Sequence, residues 1–358
     1  MDRASLKKTS RIVVKLGTGI LTSRSKQINP SQVEQLVAQV AAQREIGREL
    51  VVVSSGAVGA GMGAFGLAKR PTELSDLQAC AALGQSRLMA TYSELFDRHN
   101  LPVAQVLLTH DDLEHRDRHL NARNTLVSLL DKGVVPIVNE NDAVSYTELK
   151  FGDNDWLAAL VACLLPADLL VVLTTVDGLV ENFGKKNPRT IPIVEKIDAD
   201  IKKLAGGTLS ATAIGGMEAK LRAAGMTTRT GIPMVIASGK KKRVLANIIG
   251  GNDEGTFFTP HPGRLKGHKR RIAFFHHPKG SLWVDKGAMD ALREKGKSLL
   301  PPGVARCNGD FAKGDVVRIC DLNGTEFSRG ISRFDAEEIR ARTLKGIEIV
   351  HRNDLVIL

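Results

Sequence analysis

The chain has 358 residues, which is long for one ordinary domain and comfortable for two. Hydrophobic residues make up 43% and charged residues 25%, and these usual globular proportions exclude a disordered chain, a collagen-like chain and a disulfide scaffold. The formal net charge of +11 lies mostly in residues 239–280, which hold 10 basic and 2 acidic side chains. A charge of this sign suits an anionic partner, but here it belongs to one short segment.

The cysteines and the apolar stretches predict a cytoplasmic protein. The four cysteines are scattered and form no Cys-x-x-Cys pair, which indicates a reducing compartment and no zinc. Residues 1–15 contain no apolar run long enough for a signal peptide. The most apolar stretch, residues 156–176, is broken by Pro166 and Asp168, so we expect no transmembrane span.

Short runs of Val, Ile and Leu alternate with segments of helical periodicity over the first 240 residues. The runs predict strands at residues 12–16, 50–53, 103–108, 134–138, 169–173 and 234–237, and their near-continuous hydrophobicity is typical of strands covered on both faces. Helices are predicted at residues 31–48, 75–99, 120–132, 155–165 and 216–230, the first opened by a capping box of Ser31 and Glu34. This alternation predicts a three-layer αβα sandwich with a mostly parallel sheet, which binds ligands beyond the carboxyl ends of its strands.

The pattern changes near residue 260. Pro260, Pro262 and Gly263 precede a basic run, and together they predict a linker over residues 261–275 between a first domain of residues 1–260 and a second of residues 276–358. The sequence of the second domain predicts short strands at residues 281–284, 315–320, 326–332 and 354–358, and one helix at residues 285–295. We therefore expect a small β-rich module of ordinary domain size.

Two glycine-containing loops follow predicted strands and can bind anions. Lys15 and Gly17 end the first strand, where backbone N–H groups and a lysine can converge on one anion. Ser54, Ser55 and Gly56 end the second strand and supply two hydroxyls and a helix N-terminus. Each loop alone also fits a simple turn, but two such loops at neighbouring strand ends favour a phosphorylated or carboxylated ligand.

A dense polar run follows the fourth predicted strand. Residues 139–142 are Asn, Glu, Asn and Asp, and residues 152–155 then open a helix, with Asp153 placed to cap it. Capping and turns explain one or two of these residues but hardly all of them. The density indicates a site that hydrogen-bonds an ammonium group and organises lysines, and Asp155 is well placed in sequence to orient them.

Taken together, these motifs resemble the glutamate 5-kinase branch of the amino acid kinase family, and the match runs over the whole chain. The matching motifs are Lys15-Leu16-Gly17-Thr18, Ser54-Ser55-Gly56-Ala57, Gly84-Gln85-Ser86, Asn121-Ala122-Arg123, Asn139-Glu140-Asn141-Asp142-Ala143, Gly152-Asp153-Asn154-Asp155 and Gly215-Gly216-Met217 with Lys220. Beyond the linker, the chain is similar to a PUA domain, a small β-barrel that follows the kinase domain in many bacterial members. The residues that carry this likeness are Gly303, Gly309, Phe311, Gly314-Asp315-Val316-Val317 and Gly330-Ile331-Ser332.

The resemblance implies ATP-dependent phosphorylation of the L-glutamate γ-carboxylate to L-glutamyl 5-phosphate, the first step of proline synthesis. It further implies Mg²⁺, L-proline as a feedback inhibitor and a homo-oligomer, either a dimer or a tetramer. The implied catalytic residues are Lys15, Lys220 and Asp155, and the implied substrate-binding residues are Ser55, Asp142, Asn154 and Asn139. The implied ATP-binding residues are Lys15, Gly17, Thr174, Thr175, Ile214, Gly215, Gly216, Met217 and Lys220, and we expect no metal ligand from the protein.

The residue types suit that chemistry. A γ-carboxylate with a reference pKa of about 4.3 is already ionised at neutral pH, so the reaction needs no general base. Phosphoryl transfer needs two anions aligned and the charge on the transferring group neutralised. Two lysines that approach from different elements supply both requirements.

In the part of the chain that the resemblance assigns to nucleotide binding, three residues differ from the family pattern. Thr175 and Ile214 stand where the family usually has Asp and Thr, and Asn187 stands where Asp is usual before Pro-Arg. Asp177, two residues beyond Thr175, is a candidate to replace part of the lost acidic role. We favour drift at positions that contact ATP through the backbone, and weaker ATP binding or another nucleoside triphosphate is the alternative.

Two alternative functions remain open at this stage. The PUA-like module raises RNA binding, which is disfavoured because residues 281–358 carry 13 basic against 12 acidic side chains and few aromatic residues for stacking. Another amino acid kinase activity, on aspartate or acetylglutamate, is disfavoured by the runs at residues 139–143 and 152–155.

Overall fold

The computed structural model describes residues 1–23, 27–144, 154–183, 187–205, 216–261, 267–275, 278–344 and 346–358. The chain divides into two compact units, Met1–Arg264 and Leu265–Leu358. None of the helices within these described ranges is long and apolar enough to cross a membrane.

An eight-stranded sheet forms the centre of the first unit, in the order β3-β4-β2-β1-β5-β9-β10-β8. Every neighbouring pair is parallel except β9 with β10, which confirms the mostly parallel sheet. The strands are β1 (Arg11–Leu16), β2 (Glu49–Ser54), β3 (Val103–Leu108), β4 (Val135–Glu140), β5 (Leu169–Thr174), β8 (Ile193–Val194), β9 (Met234–Ser238) and β10 (Thr256–Phe258), and β6 (Val180–Glu181) pairs separately with β7 (Arg189–Thr190).

The described helices of the first unit connect these strands. They are α1 (Thr18–Leu21), α2 (Pro30–Glu45), α3 (Ala57–Ala64), α4 (Leu74–Asp97), α5 (His110–Glu114), α6 (Arg116–Asp131), α7 (Asn154–Leu164), α8 (Ala199–Ala205), α9 (Met217–Arg229) and α10 (Val244–Ile249), preceded by a 3-10 helix at Arg3–Lys8. The five long helices predicted from periodicity all form, with ends that differ by one to four residues.

Strand side chains alternate between two helical layers, which confirms the three-layer sandwich. Ile12, Val14 and Leu16 of β1 pack in one core with α2, α4 and α10. The intervening residues Val13 and Lys15 therefore face the opposite layer, where α7 contacts β1 and α9 contacts α7. This alternation sends Lys15 toward the first turns of α7 and α9.

The predicted capping box of α2 is wrong. The helix begins at Pro30, and the cap is Asn29, whose side chain accepts a hydrogen bond from the Gln32 backbone N–H at 3.3 Å. Ser31 lies inside the helix and donates its hydroxyl to Asn29 Oδ1 at 2.9 Å. The reason is that proline suits the first helical position, where its missing N–H costs nothing, so the helix starts before Ser31.

The second unit is a separate five-stranded sheet in the order β12-β11-β13-β14-β15, with only β11 and β13 pairing in parallel among these strands. Its core includes Leu282, Val317, Phe327 and Val350. Its elements are α11 (Gly267–Phe274), β11 (Gly280–Val284), α12 (Lys286–Arg293), β12 (Val304–Gly309), β13 (Val316–Cys320), β14 (Glu326–Ile331), α13 (Ala336–Arg340) and β15 (Leu355–Ile357), with 3-10 helices at Pro301–Gly303 and Arg352–Asp354.

Part of the predicted linker is a helix of this second unit. The sequence assigned residues 261–275 to the linker, whereas α11 occupies Gly267–Phe274. Its Ile272 and Ala273 are each 1% exposed and pack with Val316 and Val356. The basic residues around them conceal these two apolar positions in the sequence, and only their burial shows that the segment folds against β13 and β15.

Candidate active site

Backbone hydrogen bonds join the loops at the carboxyl edge of the sheet. The Gly17 N–H donates to the Leu173 carbonyl at 3.0 Å, and the Ser55 N–H donates to the Leu16 carbonyl at 3.1 Å. A side chain at Gly17 would place its Cβ 3.3 Å from the Leu173 carbonyl oxygen, so a glycine suits this close approach. The ends of β1, β2 and β5 therefore form one edge, as the parallel topology predicts.

A buried carboxylate lies between two lysines at this edge, and we call Lys15, Asp155 and Lys220 the Lys-Asp-Lys cluster. Lys15 Nζ lies 2.7 Å from Asp155 Oδ1, and Lys220 Nζ donates to Asp155 Oδ2 at 2.9 Å. Asp155 is fully buried, and each lysine is only 6% exposed. The three side chains come from the end of β1 and from the first turns of α7 and α9, and together they carry one net positive charge.

The two lysines keep the Asp155 carboxylate ionised. Burial alone would raise the pKa of Asp155, but the charges and hydrogen bonds of Lys15 and Lys220 outweigh it and hold that pKa below its ordinary value. A carboxylate that stays ionised keeps both ammonium groups in one geometry. The cluster can therefore present two fixed cations to an anionic group.

A chain of side-chain amides lies beside the cluster, and we call Gln85, Asn139 and Asn154 the amide ladder. Asn154 Nδ2 donates to Ser55 Oγ at 2.9 Å, to Asn139 Oδ1 at 3.1 Å and to the Ser54 carbonyl at 3.3 Å. Asn139 Nδ2 in turn donates to Gln85 Oε1 at 2.9 Å. The structure thus brings three of the expected substrate-binding residues, Ser55, Asn139 and Asn154, into one connected network.

Glycines let helices α3 and α4 approach closely behind this network. A Cβ on Gly84 would lie 1.8 Å from the Ala57 carbonyl oxygen, and one on Gly61 would lie 1.8 Å from the Cys80 carbonyl oxygen. Neither position can hold a side chain without moving a helix. The contact places Gln85, the residue after Gly84, next to the end of β4.

The fourth expected substrate-binding residue, Asp142, has a different neighbour. It is half-buried in the turn after β4. Burial lowers the pKa of the Arg70 guanidinium, and the nearby charge of Asp142 opposes that change. Sequence reasoning assigned no role to Arg70 or Gln85, although Gln85 stands in the quoted Gly84-Gln85-Ser86 motif. Their proximity to the site depends on how α4 and its preceding loop pack.

The expected nucleotide-binding residues are only partly described. Gly216 caps α9, Met217 is its first residue, and Lys220 lies in its first turn. Thr174 ends β5 half-buried, and the exposed Thr175 follows it beside Gly19, where an added Cβ would meet the Thr175 methyl group at 2.8 Å. Ile214 and Gly215 lie outside the described residues, as do Gly152 and the predicted helix cap Asp153.

The candidate replacement acid, Asp177, pairs with a lysine. Asp177 Oδ1 lies 3.0 Å from Lys241 Nζ, and the same ammonium lies 2.8 Å from Glu254 Oε1. The Asp177 side chain is 55% exposed, so its carboxylate remains open to solvent. Within the described ranges, no group of three or more His, Cys, Asp or Glu side chains could hold a metal ion.

Comparison with known proteins identifies the class to which this fold and site belong: the chain is a member of the amino acid kinase family, whose sequence profile matches residues 10–238. A PUA domain profile matches residues 280–352. A solved carbamate kinase from Giardia lamblia bound to AMP-PNP shares the fold at a TM-score of 0.51 and 20% identity, covering 71% of this chain and 100% of that one.

Within that family, the chain groups with the glutamate 5-kinases. The glutamate 5-kinase of Geobacter sulfurreducens is 44% identical, and the match covers 100% of both chains. The glutamate 5-kinase of Methylococcus capsulatus is 42% identical over 99% of both chains. Because these relatives match across the full length, the likeness includes both compact units and does not rest on the kinase fold alone.

Proposed function

We propose that this chain transfers the γ-phosphoryl group of ATP to the γ-carboxylate of L-glutamate and forms L-glutamyl 5-phosphate, the first step of proline synthesis. The observation that carries the proposal is the Lys-Asp-Lys cluster, in which a fully buried Asp155 binds Lys15 and Lys220 at 2.7 and 2.9 Å. This cluster lies beside a polar network suited to an amino acid. The full-length relatives support the same substrate.

The two lysines would stabilise the charge on the transferring phosphoryl group. One comes from a strand end and the other from a helix, so they can approach the group from different sides. The acceptor carboxylate is already a nucleophile at neutral pH, since its reference pKa is about 4.3. Positioning and charge neutralisation therefore supply the catalysis, and Asp155 acts by fixing both ammonium groups.

The glutamate α-amino and α-carboxylate groups would bind at the neighbouring network. Asn154 and Asp142 provide acceptor oxygens for an ammonium group, and the Ser55 hydroxyl is able to donate to a carboxylate. Such an arrangement holds the α-carbon end of glutamate and leaves the γ-carboxylate to point toward Lys15 and Lys220. Asn139 would support Asn154 without contacting the substrate, because both of its amide atoms bond to other side chains.

ATP would bind with its phosphates near Gly17 and the beginning of α9. Gly216 and Met217 present backbone N–H groups at a helix N-terminus, where phosphate is favoured, and Lys220 lies in the same turn. Mg²⁺ would accompany the nucleotide through the phosphate oxygens, because Mg²⁺ commonly binds substrate phosphates and few protein groups. Asp155 is held by two lysines and is not free to serve as its ligand.

The proposal is tested by measuring ADP release with three acceptors, L-glutamate, L-aspartate and N-acetyl-L-glutamate, each with ATP and with GTP. We expect turnover with glutamate and ATP, and little with the other acceptors. The acyl phosphate is trapped with hydroxylamine to show that a carboxyl group is the acceptor. Turnover with acetylglutamate or aspartate in preference to glutamate would contradict the proposal, and preference for GTP would favour the alternative of another nucleoside triphosphate.

The family resemblance supports two further proposals, inhibition by L-proline and assembly into a dimer or tetramer. Both are checked on the same purified chain. Addition of proline to the ADP-release assay is expected to lower the rate at subsaturating glutamate. Light scattering during gel filtration is expected to give two or four times the chain mass of 38.7 kDa.

A further inference from the structure

The side-chain amide of Gln85 has one atom that forms a hydrogen bond and one that does not. Its side chain is 9% exposed, and its Oε1 accepts a hydrogen bond from Asn139 at 2.9 Å. Its Nε2 is buried and has no hydrogen-bond partner among the described residues. An apolar side chain of similar size would avoid this unfavourable buried donor. The contribution of Gln85 therefore comes from its oxygen, whose hydrogen-bond partner within the described ranges is Asn139.

The amide ladder has one permitted direction. The Ser54 backbone carbonyl can only accept, so the atom of Asn154 that faces it at 3.3 Å must be the NH₂ group. The same NH₂ group of Asn154 also faces the side chain of Asn139, so the Asn139 oxygen must point to Asn154. The Asn139 NH₂ group must then point to Gln85. If Gln85 were reversed, two NH₂ groups would face each other. The Ser54 carbonyl therefore sets the direction of the ladder, and the Gln85 oxygen holds Asn139 in that direction from the other end.

This direction determines which atom Asn154 offers to a ligand. With Nδ2 engaged by three protein acceptors, Asn154 Oδ1 forms no hydrogen bond to any described residue and lies on the side away from them. Asn154 is half-buried, while Asn139 is only 1% exposed and uses both amide atoms inside the protein. Asn154 therefore presents its side-chain oxygen to the ligand. Asn139 and Gln85 support Asn154 and do not contact the ligand.

We propose that Gln85 is a positioning residue that makes the site select an α-amino acid. Its oxygen holds Asn139, and Asn139 holds Asn154 so that Oδ1 accepts a hydrogen bond from the substrate α-ammonium group. The inference rests on the proposed glutamate kinase activity and adds a determinant of selectivity to it. It predicts that loss of the Gln85 oxygen weakens recognition of the ammonium group specifically.

The test compares glutamate with glutarate, which has the same two carboxylates and lacks the ammonium group. In Gln85→Met, which keeps the length of the side chain and removes the acceptor, the KM for glutamate is expected to rise about tenfold, the effect of one lost oriented hydrogen bond. The inhibition constant of glutarate and the KM for ATP are expected to change by less than about twofold, since neither depends on that bond. Gln35→Met, the same exchange at an exposed position of α2, is the matched control and is expected to change none of these constants.

A conservative variant separates positioning from packing. Gln85→Glu keeps an oxygen facing Asn139 and removes the unpaired donor, so it is expected to keep the wild-type preference for glutamate over glutarate. Equal weakening of glutamate and glutarate in Gln85→Met, or no change in either, would overturn the proposal, as would loss of the preference in Gln85→Glu.

Thermal unfolding of each variant shows whether it folds. If Gln85→Met does not fold, Asn139→Leu breaks the ladder one step later and must show the same selective rise in the glutamate KM, and equal weakening of glutarate there overturns the proposal. The wild-type chain is assayed alongside. Failure of the wild type to phosphorylate glutamate would refute the proposed function, whereas an active wild type with an unselective Gln85→Met would refute only the role of Gln85.

Discussion

At the scale of single residues, the site depends on the burial of one carboxylate between two ammonium groups. Asp155 is fully buried, and taking its charge out of water is unfavourable unless opposite charges and hydrogen bonds surround it. Lys15 and Lys220 provide them, and in return each lysine loses the freedom of a long side chain. This order before substrate binds is what an electrostatic catalyst requires.

The Lys220→Met variant tests the proposed catalytic role of the Lys-Asp-Lys cluster. Methionine keeps much of the side-chain volume and removes the charge, while Asp155 retains its pair with Lys15 at 2.7 Å. We expect kcat to fall about 10²–10³-fold, as for loss of one preorganised charge contact, with a much smaller change in the glutamate KM. Steady-state kinetics in the ADP-release assay measure both constants.

A matched control for this variant is available on α8. Lys203 also pairs with an aspartate, Asp200, at 2.9 Å, but both side chains are exposed. Lys203→Met is expected to leave kcat within about twofold, because exposed pairs contribute little. A Lys220→Met enzyme with wild-type kcat would contradict the proposed role.

The lowered pKa of Asp155 predicts how stability depends on pH. Because the folded chain binds the Asp155 proton more weakly than the unfolded chain, its ionised carboxylate stabilises the fold above the unfolded pKa of about 3.9, and this contribution is lost as pH falls through the lower, folded pKa. The difference in free energy of unfolding between wild type and Asp155→Asn should be constant from about pH 8 to 5 and shrink below about pH 4. Urea unfolding at several pH values measures it. If the difference in free energy of unfolding shrank between about pH 7 and 5, the pKa of Asp155 would have to be raised in the folded chain.

At the scale of helices and strands, the sequence predicted long apolar elements better than short or exposed ones. All six strands predicted in the first unit form: four are unbroken apolar runs, β1 is interrupted only by Lys15, and the edge strand β3 is half-buried with Gln105 exposed. Strand β12 was missed because Val304–Gly309 is largely exposed and its residues, including Arg306 and Asn308, show no apolar run. Helix α11 was missed because its apolar residues are embedded in a basic run.

The close packing of α3 against α4 is an element-scale requirement of the site. Gly84→Ala would place a methyl group 1.8 Å from the Ala57 carbonyl oxygen, so α4 must move. We expect a loss of about 1–3 kcal/mol in the free energy of unfolding, the usual effect of overpacking, together with a raised glutamate KM because Gln85 moves with its neighbour. Urea unfolding and steady-state kinetics measure the two effects.

Gly225→Ala is the control for this substitution. Gly225 lies inside α9, and the nearest atom to an added Cβ is Ile197 Cδ1 at 3.9 Å. Alanine there should stabilise the chain by up to about 1 kcal/mol, because it is the better helix former. Equal stability of Gly84→Ala and wild type would show that α3 and α4 can separate without loss.

At the scale of the whole molecule, every described residue of the candidate site lies in the unit Met1–Arg264. The solved carbamate kinase covers 71% of this chain with all of its own length, so the same fold exists in a protein without a matching second unit. We therefore expect a chain of residues 1–264 to keep kcat and the glutamate KM within about threefold of the full chain, as for a domain that folds independently. Kinetics and thermal unfolding of both chains test this expectation. A folded but inactive 1–264 chain would show that the second unit takes part in catalysis.

Local sequence determined the parallel sheet, its long helices and most of the residues that gather at its edge. Periodicity and uninterrupted apolar runs record burial directly, and a parallel topology brings the carboxyl ends of the strands together. Lys15, Ser55, Asn139, Asn154 and Asp155 could be expected at the site for that reason.

Only the tertiary structure decided how these residues act on each other. Lys15 and Lys220 lie 205 positions apart and meet on Asp155 because β1, α7 and α9 pack on one face of the sheet. The role of Gln85 depends on the distance at which α4 packs and on a single backbone carbonyl, that of Ser54, which determines the direction of three amides. Hydrogen-bond direction and charge pairing depend on distances of about 3 Å between segments distant in sequence, and no local pattern records those distances.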